Sequence, residues 1–540
     1  MNLFRSSEVL VDQSKVERIV ARYFDVLQAH NSENIEQEGG ISPALLREMG
    51  RQGLFGLSIE EKYGGLGLNL WEYLRVVDAM VKHDISMAIA FLAHLSIGVK
   101  AIQLFGNDEQ KKEYLSRASS GEMIFSYALT EPRFGSDAQH IETMAVLDRS
   151  GTFYILNGQK TYITNANYAG GLTAFAQLDQ QRPGFMGAFI VETGWEGVKI
   201  GKEMPKMGLK ASSTATIQFK NVRVPAKNLI GRPGEGFRIA MSVLNYGRLG
   251  LGAASAAVLD VSAKDMLKRA SARVQFQMPI KTFQLIQEKI VRARVNAAVS
   301  SAMNDFTAGL LQNDMLRNTA IETSHCKLFG TTRAWDAVYD ALQVAGGSGY
   351  LKTHPYEKRM RDFRVATVFE GTTEIHSIYP ALYGFRRLAK MLKHENANGR
   401  SRASKLIHLF AGRTKWPVFL DNPEMRKAVS EAEAIAGSLR RLLALGMMFY
   451  GKKMAGGEIA DREFFLRRIT ALSTYMFGIL SLVRQMENKR NNGNLTAGDF
   501  DILRYFVEEA KEIRKHNSRF WDSRKERLNT SVFRNLDERI

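Results

Sequence analysis

The sequence predicts an α+β, mainly α protein: an N-terminal helical domain, a central β domain, a second helical domain and a C-terminal helical extension. Two changes of texture carry this reading. Apolar residues recur at three- and four-residue intervals up to about residue 122, the spacing falls to two as far as about 230, and the helical spacing then returns. Composition agrees: 540 residues hold about three or four domains at roughly 150 residues each. Hydrophobic residues at 45% and charged residues at 24% make a globular chain rather than a disordered one.

Residues 1–122 read as helices, with Val16, Ile19, Val20, Tyr23, Phe24 and Leu27 on one stripe and Gly64, Gly65 and Gly67 in a loop. The apolar stretch from Ile85 to Val99 is 15 residues long, too short to span a bilayer, and its His94 is expected to be a packed histidine. Residues 123–230 carry the alternating runs 153-FYILNG-158, 187-GAFIVET-193 and 216-TIQFKNVRV-224, with a hairpin turn at Asp148 to Gly151. Helical texture resumes after 231-GRPGEGF-237 and fills 231–385. The segment 386–417 is basic: from Arg386 to Lys415 there are nine Lys and Arg against Glu395 alone, a net of +8 out of +18 for the chain. Residues 418–540 are helical again, with a core stripe of Phe465, Ile469, Leu472, Met476, Ile479, Leu480 and Val483.

The excess of 74 basic over 56 acidic side chains invites an anionic partner, which could be nucleic acid, an acidic lipid surface or a phosphate-bearing ligand. No nucleic-acid motif is present, so no nucleic acid is expected. Leu406, Ile407, Leu409, Phe410 and Trp416 could enter a membrane interface beside the basic charges; a solvated linker is the alternative. Cys326 is the single cysteine and reads as a small buried hydrophobe. It excludes an intrachain disulfide, and with no CxxC pair no metal site is expected. A cytoplasmic setting fits, with contact to an inner membrane or, in a eukaryote, a mitochondrial matrix location. No secretory signal is expected.

Four stretches point to chemistry: 128-ALTEPRFGSD-137, 158-GQKTYITNA-166, 206-KMGLKASSTATIQFKNVRVPAKNLIG-231 and 343-QVAGGSGYLKTHPYEKRMRDFRVATVFEGTTEIH-376. In this order and over most of residues 1–385 they resemble the acyl-CoA dehydrogenase family. Within it, 244-LNYGRLGLGAA-254 and the long C-terminal region look most like the very-long-chain branch. The resemblance implies FAD held between the β domain and the second helical domain. The implied reaction is α,β-dehydrogenation of a long-chain fatty acyl-CoA to the trans-2-enoyl-CoA, with an electron-transferring flavoprotein as acceptor. An assembly or scaffold flavoprotein and an acyl-CoA oxidase are the alternatives.

The resemblance also assigns residues. Glu370 matches the catalytic base, a role that a raised carboxyl pKa would serve. Its backbone N–H matches a group that polarises the thioester carbonyl. Some members carry the base one residue before the arginine of the earlier helix, where this chain has Gly247. Arg248, Asn245, Gly371 and Ser136 match contacts to substrate and coenzyme. Tyr127, Leu129, Thr130, Gly135 and Ser136 match the strand and loop along the flavin, although Phe134 replaces a small residue. Tyr162, Ile163 and Thr164 match a second flavin segment. Arg273, Phe276 and Gln284, with Gln343, Gly346 and Gly347, match residues reaching the FAD of a neighbouring subunit, so a homo-oligomer, a dimer, is implied. Thr372 and Glu374 match further FAD contacts, and Ile89, Leu92 and Ala93 the far end of the acyl pocket. Without the resemblance, Glu370 reads as a helix-start carboxylate, Asn245 and Arg248 as polar residues on a solvated helix face, and Tyr162 as a core aromatic.

Overall fold

The computed structural model describes residues 11–30, 35–393, 402–412, 414–416, 420–456 and 462–537. Helices fill the first domain. In α1 (Gln13–Ala29) the Asp12 side chain accepts from the Lys15 backbone N–H, and α2 (Leu70–His83) opens on a reciprocal Asn69–Glu72 capping box. Helix α3 (Ile85–Leu92) is capped by Asp84 and runs through a π turn at Ala93–Gly98 into α4 (Lys100–Phe105). The combined run Ile85–Phe105 has 21 residues, more than the 15 read from the sequence. It is long and apolar enough to cross a membrane, but 94% of its most apolar window is buried inside the protein. It is a core helix, and His94 is packed as expected. His94 Nδ1 accepts from the Phe125 N–H at 2.9 Å, and Nε2 lies 3.2 Å from the Phe55 carbonyl.

The β domain is an eight-stranded sheet: β1 (Ile124–Ala128), β2 (Met144–Leu147), β3 (Phe153–Thr164), β4 (Ala169–Gln177), β5 (Met186–Glu192), β6 (Val198–Ile200), β7 (Thr214–Pro225) and β8 (Leu229–Ile230). The spatial order is β6-β7-β3-β2-β4-β5-β8, and β1 joins β4 in parallel. Gly151 N–H donates to the Asp148 carbonyl in the turn between β2 and β3. One irregularity matters for the site. In the β3–β7 ladder Lys160 faces Ile217 and Ile163 faces Ala215, so Thr161 and Tyr162 oppose a single residue. This bulge puts Tyr162 at φ +57° and leaves it 68% exposed, so it is not a core aromatic.

The second helical domain comprises α5 (Gly236–Ala272), a hairpin of β9 (Val274–Gln275) and β10 (Met278–Pro279), α6 (Gln284–Asn313), α7 (Ala320–Ala345) and, after shorter turns, α8 (Thr373–Lys393). Then come α9 (Arg402–Ala411), α10 (Pro423–Gly456), α11 (Glu463–Asn491), α12 (Ala497–Asn517) and α13 (Arg524–Asp537). Phe465, Ile469, Leu472, Ile479 and Val483 are buried in one cluster with Phe329 and Phe385 of the second domain, so the C-terminal helices share a core with it. Helix α7 is also tied to them by polar contacts. His325 meets Ser473 and Thr474 on α11, and Arg333 donates to Glu509 on α12 at 2.9 Å and to the Tyr475 hydroxyl. Within the basic segment, residues 394–401, 413 and 417, which include Glu395, Arg400 and Arg413, lie outside the described residues. On α9, Leu406 is buried and Ile407 and Phe410 are exposed.

Candidate active site

A pocket opens where the π-turn helix, β3, α5 and the turn ahead of α8 meet. Ile89, Leu92, Ala93, Ser96, Ile97, Thr164, Gly247, Leu251, Phe369 and Glu370 line about 370 Å³ of space that opens to solvent. The lining is apolar except for Ser96, Thr164 and one carboxylate. Ser96 donates its hydroxyl to the Leu92 carbonyl and is therefore satisfied within its own helix.

The carboxylate is not satisfied. Glu370 Oε2 is buried without a hydrogen-bond partner, although its residue is half-buried as a whole. Burial pushes the Glu370 pKa up from the ordinary carboxylate value to about 7, while Arg248 and Lys327 pull against that rise. A carboxylic acid poised there exchanges a proton near neutral pH, as a general base requires. It is not the solvated helix-start carboxylate of the bare sequence reading.

Glu370 and Gly371 form a turn with φ of +57° and +97°. The Glu370 carbonyl accepts from Arg248 Nε at 3.3 Å and lies 2.9 Å from His376 Nε2. The Gly371 carbonyl accepts from Lys327 Nζ on α7. Lys327 is wholly buried, and burial pushes its pKa down to about 7, opposed by the carboxylate of Glu370. Burial likewise lowers the Arg248 and His376 pKa values. Lys327, His376 and its partner Ser324 carry no assignment in the sequence reading. The one available signal was His376, which closes the same motif as Glu370.

Arg248 and Asn245 lie on α5, but both are buried, so the solvated-face reading is corrected for both. Asn245 Oδ1 accepts from the Thr323 hydroxyl at 3.3 Å. Thr372 caps α8, its hydroxyl accepting from Ile375 N–H, while Glu374 is exposed.

The segments matched to the flavin meet at the edge of the pocket. Thr161 N–H donates to the Thr130 carbonyl at 2.9 Å, and Ser126 Oγ donates to the Thr164 carbonyl at 2.8 Å. These bonds bring Tyr127, Leu129 and Thr130 beside Tyr162, Ile163 and Thr164. A buried ion pair braces them: Lys160 Nζ lies 2.7 Å from Glu131 Oε1 and 3.2 Å from the Leu129 carbonyl. Gly135 and Ser136 are exposed, and a Cβ at Gly135 would meet nothing within 4 Å. Phe134 is half-buried against the main core.

The remaining residues form a second cluster. Arg269 at the end of α5 donates to the Ala345 carbonyl and to Ser348, which ties Arg273 and its hairpin to Gly346 and Gly347. Arg273, Phe276, Gln284, Gln343, Gly346 and Gly347 are all exposed, Phe276 at 86%. A Cβ at Gly346 or Gly347 would also meet nothing.

A buried carboxylate oxygen without a partner faces an apolar pocket, an arrangement suited to proton abstraction. Comparison with known proteins assigns the class. Models of the acyl-CoA dehydrogenase N-terminal, middle and C-terminal domains match residues 12–122, 126–222 and 234–379. The very long-chain specific acyl-CoA dehydrogenase of Macaca fascicularis is 37% identical over 372 residues, 68% of this chain and 56% of that protein. An acyl-CoA dehydrogenase of Bacillus subtilis is 36% identical, covering 63% of this chain and 89% of that protein. The crystal structure of an acyl-CoA dehydrogenase complexed with FAD from Bacillus anthracis matches 99% of this chain and 94% of its own, with a TM-score of 0.83 at 28% identity. The chain spans about half the length of the very-long-chain relatives it matches. The chain belongs to the acyl-CoA dehydrogenase family.

Proposed function

We propose that the protein is an FAD-dependent dehydrogenase of long-chain fatty acyl-CoA thioesters, producing the trans-2-enoyl-CoA. The enclosed, unpartnered Glu370 carboxylate carries this reading. Its ionised form takes the proton from C2 of the acyl chain, and C2 and C3 become doubly bonded as the C3 hydrogen departs. Bound FAD supplies the acceptor for that hydrogen as hydride. Two features support FAD binding: Tyr127, Leu129 and Thr130 meet Tyr162 to Thr164 at the pocket with Tyr162 turned outward, and the exposed glycines Gly135 and Gly347 have no need in the protein's own packing. Thr372 and Glu374 follow the base on the same turn and belong to this cofactor set. The lining of Ile89, Leu92 and Ala93 supports an aliphatic chain. We assign Arg248, Asn245, Gly371 and Ser136 to the thioester and the coenzyme.

Anaerobic mixing of the yellow protein with palmitoyl-CoA tests the reading. The flavin bleaches in the wild type, and Glu370→Gln keeps its flavin but loses bleaching. Bleaching that persists in Glu370→Gln puts the base elsewhere; a flavin that no acyl-CoA reduces makes the protein a scaffold. A best substrate of four to six carbons rejects the long-chain assignment.

We further assign the protein a homodimer, an electron-transferring flavoprotein as acceptor, and a peripheral contact of residues 386–415 with anionic membrane. Exposed Phe276, Leu285 and Tyr350 support the dimer. The charge of the segment, with Ile407 and Phe410 exposed on α9, supports the membrane contact. Light scattering tests the dimer. Flotation with anionic liposomes, with and without 386–415, tests the membrane contact, and equal flotation of both proteins rejects it.

A further inference from the structure

The base sits on neither a helix nor a strand. Glu370 occupies the left-handed region, which is unfavourable for a residue with a side chain and persists only where its surroundings over-determine it. The surroundings here are donors from three elements. Arg248 of α5 and His376 of α8 converge on the Glu370 carbonyl, and Lys327 of α7 holds the Gly371 carbonyl. Gly371 must be glycine, both for its φ of +97° and because a Cβ there would lie 2.6 Å from His376 Nε2.

His376 is wholly buried, and its second nitrogen is engaged as well: Nδ1 lies 2.6 Å from Ser324 Oγ on α7. The tautomer follows from these partners. A carbonyl oxygen only accepts, so Nε2 must carry the hydrogen. Nδ1 then has a free lone pair, and the Ser324 hydroxyl donates to it. Around the ring stand Arg248, Lys327 and His325, and with burial these groups favour the neutral imidazole.

We propose that Ser324 and His376 are positioning residues for the catalytic base. The serine hydroxyl fixes the imidazole in its Nε2–H form, and that N–H pins the Glu370 carbonyl so that the carboxylate stays turned into the pocket over Gly247. The inference rests on the reading of Glu370 as the base, and it adds a requirement that reading does not contain: the neighbouring ring must donate, not merely fill space.

The test compares His376→Gln, which can still donate, with His376→Leu, which fills similar volume without donating, and with Ser324→Ala, all as flavin-loaded protein. His376→Leu should keep its flavin and a KM within about a factor of two, while kcat falls by about tenfold or more. Its acid limb should move from about 7 toward the ordinary carboxylate range as the freed side chain reaches water. His376→Gln should recover most of kcat. In parallel, ¹⁵N-histidine NMR of the wild type at neutral pH should report a neutral Nε2–H ring, and Ser324→Ala should show mixed tautomers. Equal loss in the Gln and Leu variants would mean packing rather than donation and overturns the proposal. So does an Nδ1–H ring in the wild type, or a Ser324→Ala protein unchanged in both kcat and tautomer. Should His376→Leu fail to fold, the serine variant and the spectra decide. A wild type whose flavin no acyl-CoA reduces rejects the dehydrogenase reading, and the spectra alone then judge the tautomer.

Discussion

Gly247 and the carboxylate of Glu370 share one site. A Cβ built on Gly247 would lie 2.9 Å from Glu370 Oε2 and 2.8 Å from Ile97 Cγ2. A side chain at position 247 would therefore occupy the space that the Glu370 carboxylate fills, and only one of the two positions can carry a side chain there. Gly247→Ala should retain flavin but lose about tenfold or more in kcat, because the carboxylate is displaced. Overpacking should also cost about 1–3 kcal/mol. Stopped-flow flavin reduction and urea unfolding measure the two effects.

The pH dependence has a definite sign. In the proposed role Glu370 acts ionised, so kcat/KM for the free enzyme should fall as pH drops below about 7. Stability runs the other way. The folded protein holds this proton more tightly than the unfolded chain, whose carboxyl titrates near 4.5. The stability from this group is fully present below about 4.5 and is lost as pH rises through about 7, on the order of 3 kcal/mol at most. Glu370→Gln should therefore unfold at higher denaturant than the wild type at alkaline pH, and the difference should vanish under acid conditions.

Lys160→Met tests the brace under the flavin edge. Lys160 is wholly buried, and its partner Glu131 also accepts from the Glu142 and Thr143 backbone N–H groups. Removing the lysine leaves a buried carboxylate without its countercharge, a loss of about 3–5 kcal/mol. Flavin occupancy should fall with it, because Leu129 and Thr130 lose their anchor. The double variant Lys160→Met with Glu131→Gln should recover stability. Denaturation curves and the flavin absorbance ratio report both effects.

Leu92→Ala addresses chain length. Leu92 packs against Gly250, and behind it lies a second space bounded by Tyr73, Lys100, Tyr246 and Gly250. Ser96 borders both spaces. Shortening the leucine should join them and raise kcat/KM for sixteen-carbon over eight-carbon acyl-CoA, at a cavity cost of about 2–5 kcal/mol. A substrate series on both proteins measures the ratio.

Much of this was legible in the sequence because it is local. Glu370, Gly371 and the segments matched to the flavin lie in short motifs, and the change from period two to helical period marks the β domain. Other features depend on approach through space. Ser324 and His376 are 52 residues apart, and Lys327 is 44 from Gly371; they meet only because α7 packs against both the start of α8 and the left-handed turn ahead of it. Asn245 and Arg248 read as solvated because polar residues usually are. Helix α5, however, is enclosed on most of its sides, so no amphipathic stripe marks which face meets water. Tyr162 misleads for a different reason: a bulge, invisible in a plain alternating pattern, turns it outward.

Helix α7 has two working sides. Lys327 reaches the turn that seats Glu370 and Ser324 reaches His376 beside it, while His325 and Arg333 clasp α11 and α12. The C-terminal bundle is thus not an ornament bolted to a finished catalyst. Cutting the chain back to the part that the family models cover would strip the outer brace from the helix that steadies the Glu370 turn, so the seating of that carboxylate and polypeptide length are coupled through one helix.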